Sequence, residues 1–324
     1  MTMRTVFVCN TTYHLLITLV MLTEKEAQNG VIVLDSRLKH TDVYYHRLHE
    51  IFNIDVAICD YAQIYPTKAS FLLNKTSIDM SQFVVKGDQV FVYNDANNFG
   101  YYLHKNKIPY ILREDGYDFL KSPKLEDDTW IDDALFNIKR MIKGAPRAKG
   151  FSKFCKEFNV NSLDGVKKDS RSKKMTETSR TELFNQLSDE KKAKLFKLFD
   201  VAPLSIENNA ALIITQPLYT QNIHVNQPEQ QLEFYKEIVE KLQEQNYVVY
   251  IKVHPRDDLD YTVYPNVKIL PAQVPLELID LMLNTEFEIG ITHSSTALAF
   301  VGKVKRKMIL LLTEEFSKHN RIVI

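Results

Sequence analysis

The chain has 324 residues, 45% apolar and 25% charged, ordinary values for a soluble globular protein long enough for about two domains. Lysine plus arginine total 41, as do aspartate plus glutamate, so no global field marks a nucleic-acid binder. The three cysteines, Cys9, Cys59 and Cys155, are widely spaced and lack a CxxC pair, which speaks against a disulfide framework or a zinc site and fits a reducing compartment.

The β-branched run Thr5–Cys9 predicts a strand, followed by a polar loop and a helix over His14–Glu26. Asn10, Thr11, Thr12 and His14 interrupt what would otherwise resemble a signal peptide, and no small-residue cleavage site follows. No apolar run reaches the ~18 residues that a membrane span needs. A cytoplasmic protein is therefore expected. Gly30–Leu34 reads as a second strand, Val43–Phe52 as a helix, and Asp55–Cys59, Gln89–Tyr93 and Tyr110–Arg113 as further strands, with a short helix over Asn97–His104. Strands alternating with helices predict a parallel sheet covered on both faces.

Near residue 125 the composition changes. From Lys139 to Arg180 there are 13 basic residues against four acids. Helical patterns at Trp130–Ile142 and Thr181–Phe199 flank a polar stretch, Asp164–Ser179, that reads as a loop. A solvated linker is one reading of this segment. A basic surface for an anionic acceptor or the inner face of a membrane is the other. Alternation then resumes: strands at Ala211–Thr215, Tyr247–Val253, Val267–Leu270, Phe287–Thr292 and Lys307–Leu311, helices at Glu229–Glu244, Leu276–Leu283 and from Ser295 to Val301. The expected domains are 1–125, a helical basic segment 126–205, and 206–324. Two α/β domains facing a cleft are the architecture these patterns suggest.

Three short motifs fall where strands end, the place where open α/β sheets collect ligands. Glu114-Asp115-Gly116 follows Ile111-Leu112-Arg113; Gly116 permits a turn, and a carboxylate there can take a proton from an attacking hydroxyl. His254-Pro255 ends the run Tyr247–Val253. The proline holds His254 extended, and an imidazole titrating near neutrality can be charged against a phosphate and donate a proton to it. His293, Ser294, Ser295 and Thr296 precede a helix, where hydroxyls and free N–H groups make an anion seat. Thr11 and Thr12 form a lip after the first strand, and Gln216 lies in a shaped loop, Thr215-Gln216-Pro217-Leu218. The bland alternatives are a strand-end histidine, a capping serine and a loop acid. There is no GxxxxGK[ST] loop, GxGxxG fingerprint or GxSxG elbow, against a nucleotide triphosphatase, a dehydrogenase or a serine hydrolase.

The acid-acid-Gly, His-Pro and Ser-Ser trio resembles the short motifs of bacterial sialyltransferases. The opening Val-Phe-Val-Cys-Asn-Thr-Thr-Tyr-His-Leu-Leu and the later Thr-Gln-Pro-Leu are most similar to glycosyltransferase family 52, which contains lipooligosaccharide sialyltransferases. The resemblance runs from Val6 to about Leu312 and is weakest in the basic segment. It implies a GT-B fold with two Rossmann-like domains, the first on the acceptor side and the second binding the CMP-sugar. It also implies an inverting, metal-independent transfer of sialic acid from CMP-sialic acid to a hydroxyl of a cell-surface glycan. His254 would protonate or stabilise the departing phosphate, Ser294 and Ser295 would hold it, and Asp115 would be the base with Glu114 in support. Glu229 and Glu233 are the alternative bases. The partners implied are a nucleotide-sugar donor and a glycan or glycolipid acceptor, with no nucleic acid and no cofactor; peripheral membrane association and a homodimer are compatible with the basic segment. The competing readings are a GT-B enzyme using CMP-Kdo or a UDP-hexose, and a non-catalytic relative that binds nucleotide sugars.

Overall fold

A computed structural model describes residues 3–115, 149–164, 166, 168–220, 225–293, 298 and 301–310. The chain divides into two compact units, Met1–Asp200 and Val201–Ile324. The first is built on a seven-stranded sheet of β1 (Thr5–Cys9), β2 (Gly30–Asp35), β3 (Asp55–Cys59), β4 (Gln89–Val92), β5 (Tyr110–Arg113), β6 (Cys155–Val160) and β7 (Met175–Glu177). Every pairing is parallel, in the order β3-β2-β1-β4-β5-β6-β7. Strands β1 and β2 are buried at every residue, as expected of central strands covered on both faces. The order reverses direction between β1 and β4, the switch point at which open α/β sheets take their ligands.

The helix expected over His14–Glu26 is two helices, Thr12–Met21 and Glu24–Asn29. Thr23 breaks it: its hydroxyl accepts from the Glu26 amide while the Glu26 carboxylate accepts from the Thr23 amide, a capping box that starts a new helix. Ser188 similarly divides Thr181–Phe199 into helices Arg180–Asn185 and Asp189–Phe199, its hydroxyl capping the second. That second helix packs on the helix Thr41–Phe52, where Arg47 donates to the Leu198 carbonyl at 3.0 Å and Tyr44 meets Phe199 edge-on at 5.6 Å. The stretch Asp164–Ser179, read as a loop, contains edge strand β7, and β6 precedes it unexpectedly. Lys156, Glu157 and Asn159 hide β6 from a hydrophobic pattern, and only pairing with β5 makes it a strand. The helix expected over Trp130–Ile142 lies outside the described residues.

The second unit has a five-stranded sheet of β8 (Ala210–Ile214), β9 (Val248–Lys252), β10 (Val267–Leu270), β11 (Phe287–His293) and β12 (Val304–Leu310). All pairs are parallel in the order β10-β9-β8-β11-β12, and the switch point lies between β8 and β11. The helix Pro228–Glu244 presents Phe234, Tyr235, Ile238, Val239 and Leu242 to the sheet, an i, i+3/i+4 stripe that buries against Ile213, Val249 and Ile251. Both units are thus mixed α/β with a Rossmann-like strand order.

Candidate active site

Register aligns the predicted motifs at the carboxyl edges. In the second sheet Lys252 pairs with Ile214, and Ile214 with Thr292. The chain therefore leaves three neighbouring strands side by side, at Val253-His254, Thr215-Gln216 and His293. In the first sheet Val8, Val92, Leu112 and Phe158 form one row, so the loops at Asn10, Asn94 and Glu114-Asp115 leave together.

In the second unit the organising group is Asp257, which is buried. Its Oδ2 accepts from Thr215 Oγ1 at 2.9 Å, Gln231 Nε2 at 3.0 Å and the Tyr261 hydroxyl at 2.7 Å. Because the Thr215 hydroxyl donates to Asp257, its oxygen is left to accept the His254 amide at 3.0 Å. The strand-end loop is thereby fixed through a buried carboxylate that the sequence reading did not single out. Burial raises the Asp257 pKa, and its hydrogen bonds oppose that shift. Asp257→Ala strands the Thr215 and Tyr261 donors, while Gln231 keeps its bond to the Tyr261 hydroxyl at 2.8 Å; at about 1–3 kcal/mol for a buried unsatisfied group, we expect a total loss of roughly 3 kcal/mol, read as a lowered urea midpoint.

The His254 ring is part-buried, and its Nδ1 accepts the Arg256 amide at 3.1 Å. The proton therefore sits on Nε2, which has no partner among the described residues. Burial, with Arg256 and the buried Lys252 adding positive charge, pulls the ring down to about 4 from 6.5. This corrects the expectation of an imidazolium near neutrality: the free ring is neutral and offers one N–H. Lys252 is itself pushed down to about 8 by burial, its ammonium donating to the Ala272 carbonyl at 2.8 Å. A depressed histidine stabilises the fold above its unfolded pKa, and that contribution is lost as the pH falls. Between pH 6.5 and about 4, the melting temperature of the wild type should fall more than that of His254→Gln.

The other residues predicted for this unit take varied places. Pro255 is exposed, and the Gln216 amide donates to the Tyr235 hydroxyl at 2.7 Å. His293 is buried, its ring edge-on to Phe234 at 5.9 Å. Glu229 and Glu233 are exposed on the helix Pro228–Glu244, with Glu233 3.5 Å from the Lys236 ammonium. Ser294, Ser295, Thr296 and, in the first unit, Gly116 lie outside the described residues.

In the first unit the two acids separate. Glu114 is buried and accepts the Asn161 amide at 2.6 Å, tying β5 to the end of β6. Asp115 keeps 26% side-chain exposure; its Oδ1 meets His14 Nε2 at 2.5 Å, and its Oδ2 accepts from Asn94 Nδ2 at 3.3 Å. Thr11 caps the helix Thr12–Met21 by accepting the His14 amide at 3.2 Å, and Thr12 is its first residue. Asn94 precedes Asp95, whose backbone would lie 2.5 Å from a Cβ at position 100, so Gly100 lets the next helix close on this loop. His14 and Asn94 were not predicted as site residues. They stand 101 and 21 positions from Asp115, and no local spacing connects them.

Both units therefore carry a polar cluster at a switch point, one with an accessible carboxylate and one with an imidazole N–H donor. A family model, glycosyltransferase family 52, matches residues 26–315, most of the chain. The chain belongs to glycosyltransferase family 52. A search among curated proteins finds no match. Membership makes the protein a glycosyltransferase, with a nucleotide-sugar donor and a glycan acceptor as its partners. For such a transfer the Asp115 carboxylate is the right kind of group to receive a hydroxyl proton, and the His254 N–H to meet a leaving phosphate. Among the described residues no helix is long and apolar enough to cross a membrane, and no three His, Cys, Asp or Glu side chains gather as metal ligands.

Proposed function

We propose that this glycosyltransferase moves sialic acid from CMP-sialic acid to a hydroxyl of a lipooligosaccharide- or capsule-type glycan, with inversion and without a metal. The observation that carries the reading is the His254 loop: a neutral imidazole with Nδ1 tied to a backbone amide and Nε2–H available, at the carboxyl edge of a parallel sheet in a family 52 chain. In the proposed step Asp115 takes the acceptor hydroxyl proton. The hydroxyl oxygen bonds to the anomeric carbon, and the bond from that carbon to the phosphate oxygen breaks with its electrons leaving on CMP. A neutral ring cannot usefully give up its last proton. His254 therefore stabilises the departing phosphate by a hydrogen bond, and CMP, whose second phosphate pKa is about 6, leaves without needing a proton at neutral pH. Ser294 and Ser295 complete the phosphate seat in this reading, and a GT-B cleft brings donor and acceptor together.

The acceptor side follows the charge. Lys149, Lys153, Lys156, Lys168 and Lys173 crowd the described part of the basic segment, which suits a phosphorylated glycolipid at the inner face of a membrane. Calorimetry with CMP, UMP and UDP on the full chain tests the donor. CMP should bind at least tenfold more tightly than either uridine nucleotide. Preference for UDP would move the assignment to a UDP-hexose enzyme, and binding without turnover would make the chain a non-catalytic relative.

A further inference from the structure

We propose that Thr215 is a positioning residue for the transfer: its hydroxyl, aimed by Asp257, holds the His254 backbone so that the ring presents Nε2–H to the departing phosphate. The inference rests on the reading of His254 as the hydrogen-bond donor to that phosphate. Thr215 is 0% exposed, so its side chain meets no substrate. It acts through the loop that follows β9.

The direction of each bond in the network is fixed by its neighbours. Gln231 Oε1 accepts the Tyr219 amide at 3.0 Å. The Nε2 end of the same side chain is thereby turned to Asp257 Oδ2 at 3.0 Å and to the Tyr261 oxygen at 2.8 Å. Having accepted there, the Tyr261 hydroxyl gives its own proton to Asp257 at 2.7 Å. The Thr215 oxygen likewise accepts the His254 amide at 3.0 Å, and its proton goes to Asp257 at 2.9 Å. Asp257 Oδ1 takes the Leu259 amide at 3.2 Å. All of these partners are donors to a carboxylate that only accepts, so a Thr215 hydroxyl turned any other way would lose a charge-assisted bond.

His254 is where this matters. Pro255 brings no N–H, so the His254 amide is the last backbone donor before the turn, and Thr215 is its acceptor. Downstream, the Asp257 amide donates to the His254 carbonyl at 2.9 Å, and the Arg256 amide donates to Nδ1 at 3.1 Å. One residue is thus held at its N–H, its C=O and its ring. The first hold is the Thr215 hydroxyl, and the second comes from the residue whose carboxylate orients that hydroxyl. Through Tyr219, Gln231 extends the same anchor to the loop after β8, so loops leaving two neighbouring strands share it.

The test measures kcat, donor KM and acceptor KM for full-length wild type, Thr215→Val, Thr215→Ser, His254→Ala and the double variant Thr215→Val/His254→Ala. Valine keeps the shape and removes the hydroxyl. A misplaced group of this kind should cost about 10- to 100-fold in kcat, while donor KM moves by less than about threefold. Serine keeps the hydroxyl and should restore most of the rate. In the His254→Ala background the same valine should cost less than about threefold, because losses within one network do not add. A folded Thr215→Val with wild-type kcat overturns the proposal. So does a valine loss that persists in full once the ring is gone, which is what a purely structural residue would give. Wild-type activity in His254→Ala overturns both the reading of His254 and this inference, whereas an impaired His254→Ala beside an unaltered Thr215→Val removes the inference alone. NMR of the wild type needs no variant to fold: a slowly exchanging His254 amide and an Nε2–H tautomer at neutral pH are expected. An amide exchanging at the unprotected rate, or an Nδ1–H ring, contradicts the proposal.

Discussion

His254→Ala should lower kcat by about 10²- to 10⁴-fold, the range for a positioned group that acts in the transition state, while CMP affinity changes by less than tenfold. The asymmetry follows from where charge develops. In the proposed CMP-sialic acid donor the phosphate is a singly charged diester; only as the bond to the sugar breaks would the bridging oxygen gain charge, and there the proposed role of the Nε2–H has its largest effect. Pre-organisation supports the size of the effect. The ring is held by its own amide on Thr215 at 3.0 Å and by Nδ1 on the Arg256 amide at 3.1 Å, so the donor need not be ordered during reaction. Because burial keeps the free ring near pKa 4, its deprotonation should produce no limb in the kcat profile around neutrality. A limb near pH 6.5 that vanishes in His254→Gln would show a true proton donor instead. Equal losses in kcat and CMP affinity would show a residue that only binds.

On the proposed assignment of Asp115 as the base, Asp115→Asn should remove a comparable factor, about 10²–10⁴, with donor KM unchanged, because an amide keeps the shape but cannot take a hydroxyl proton. Glu114→Gln is different in kind. That carboxylate is 4% exposed and spent on the Asn161 amide, so its loss should appear as a lower melting temperature more than as a lower rate. Glu229→Gln and Glu233→Gln, measured beside them, separate the alternative bases. Their carboxylates stand exposed on a helix face, with Glu233 near Lys236 at 3.5 Å, and the larger loss is expected at Asp115. A larger loss at either glutamate would move the base to the second unit.

The alternation of strand and helix was legible because apolar runs such as Val31–Leu34 and Val249–Ile251 are buried on both faces and cannot disguise themselves. Strand ends were legible for the same reason: β5 ends at Arg113, just before Asp115, and β9 at Lys252, just before His254. What escaped were features made by pairing or by distant contact. β6 is a strand only because β5 lies beside it, and β7 only because β6 does. His14 sits within an apolar helix, and its hydrogen bond to a carboxylate 101 positions away follows from no local pattern. Asp257 follows His-Pro-Arg and reads as loop polarity until the fold wraps Thr215, Gln231 and Tyr261 around it. The charge state of His254 was misread because sequence shows the imidazole but not its burial, nor the Lys252 and Arg256 charges beside it.

The most direct measurement is CMP release from CMP-sialic acid with lactose as acceptor, in the presence of EDTA, run beside CMP-Kdo and UDP-hexoses. Sialyl transfer that proceeds with the chelator present, exceeds the other donors by at least tenfold and collapses in His254→Ala is the predicted result. Turnover of a UDP-hexose or of CMP-Kdo in preference to CMP-sialic acid, or dependence on an added metal, would contradict the account.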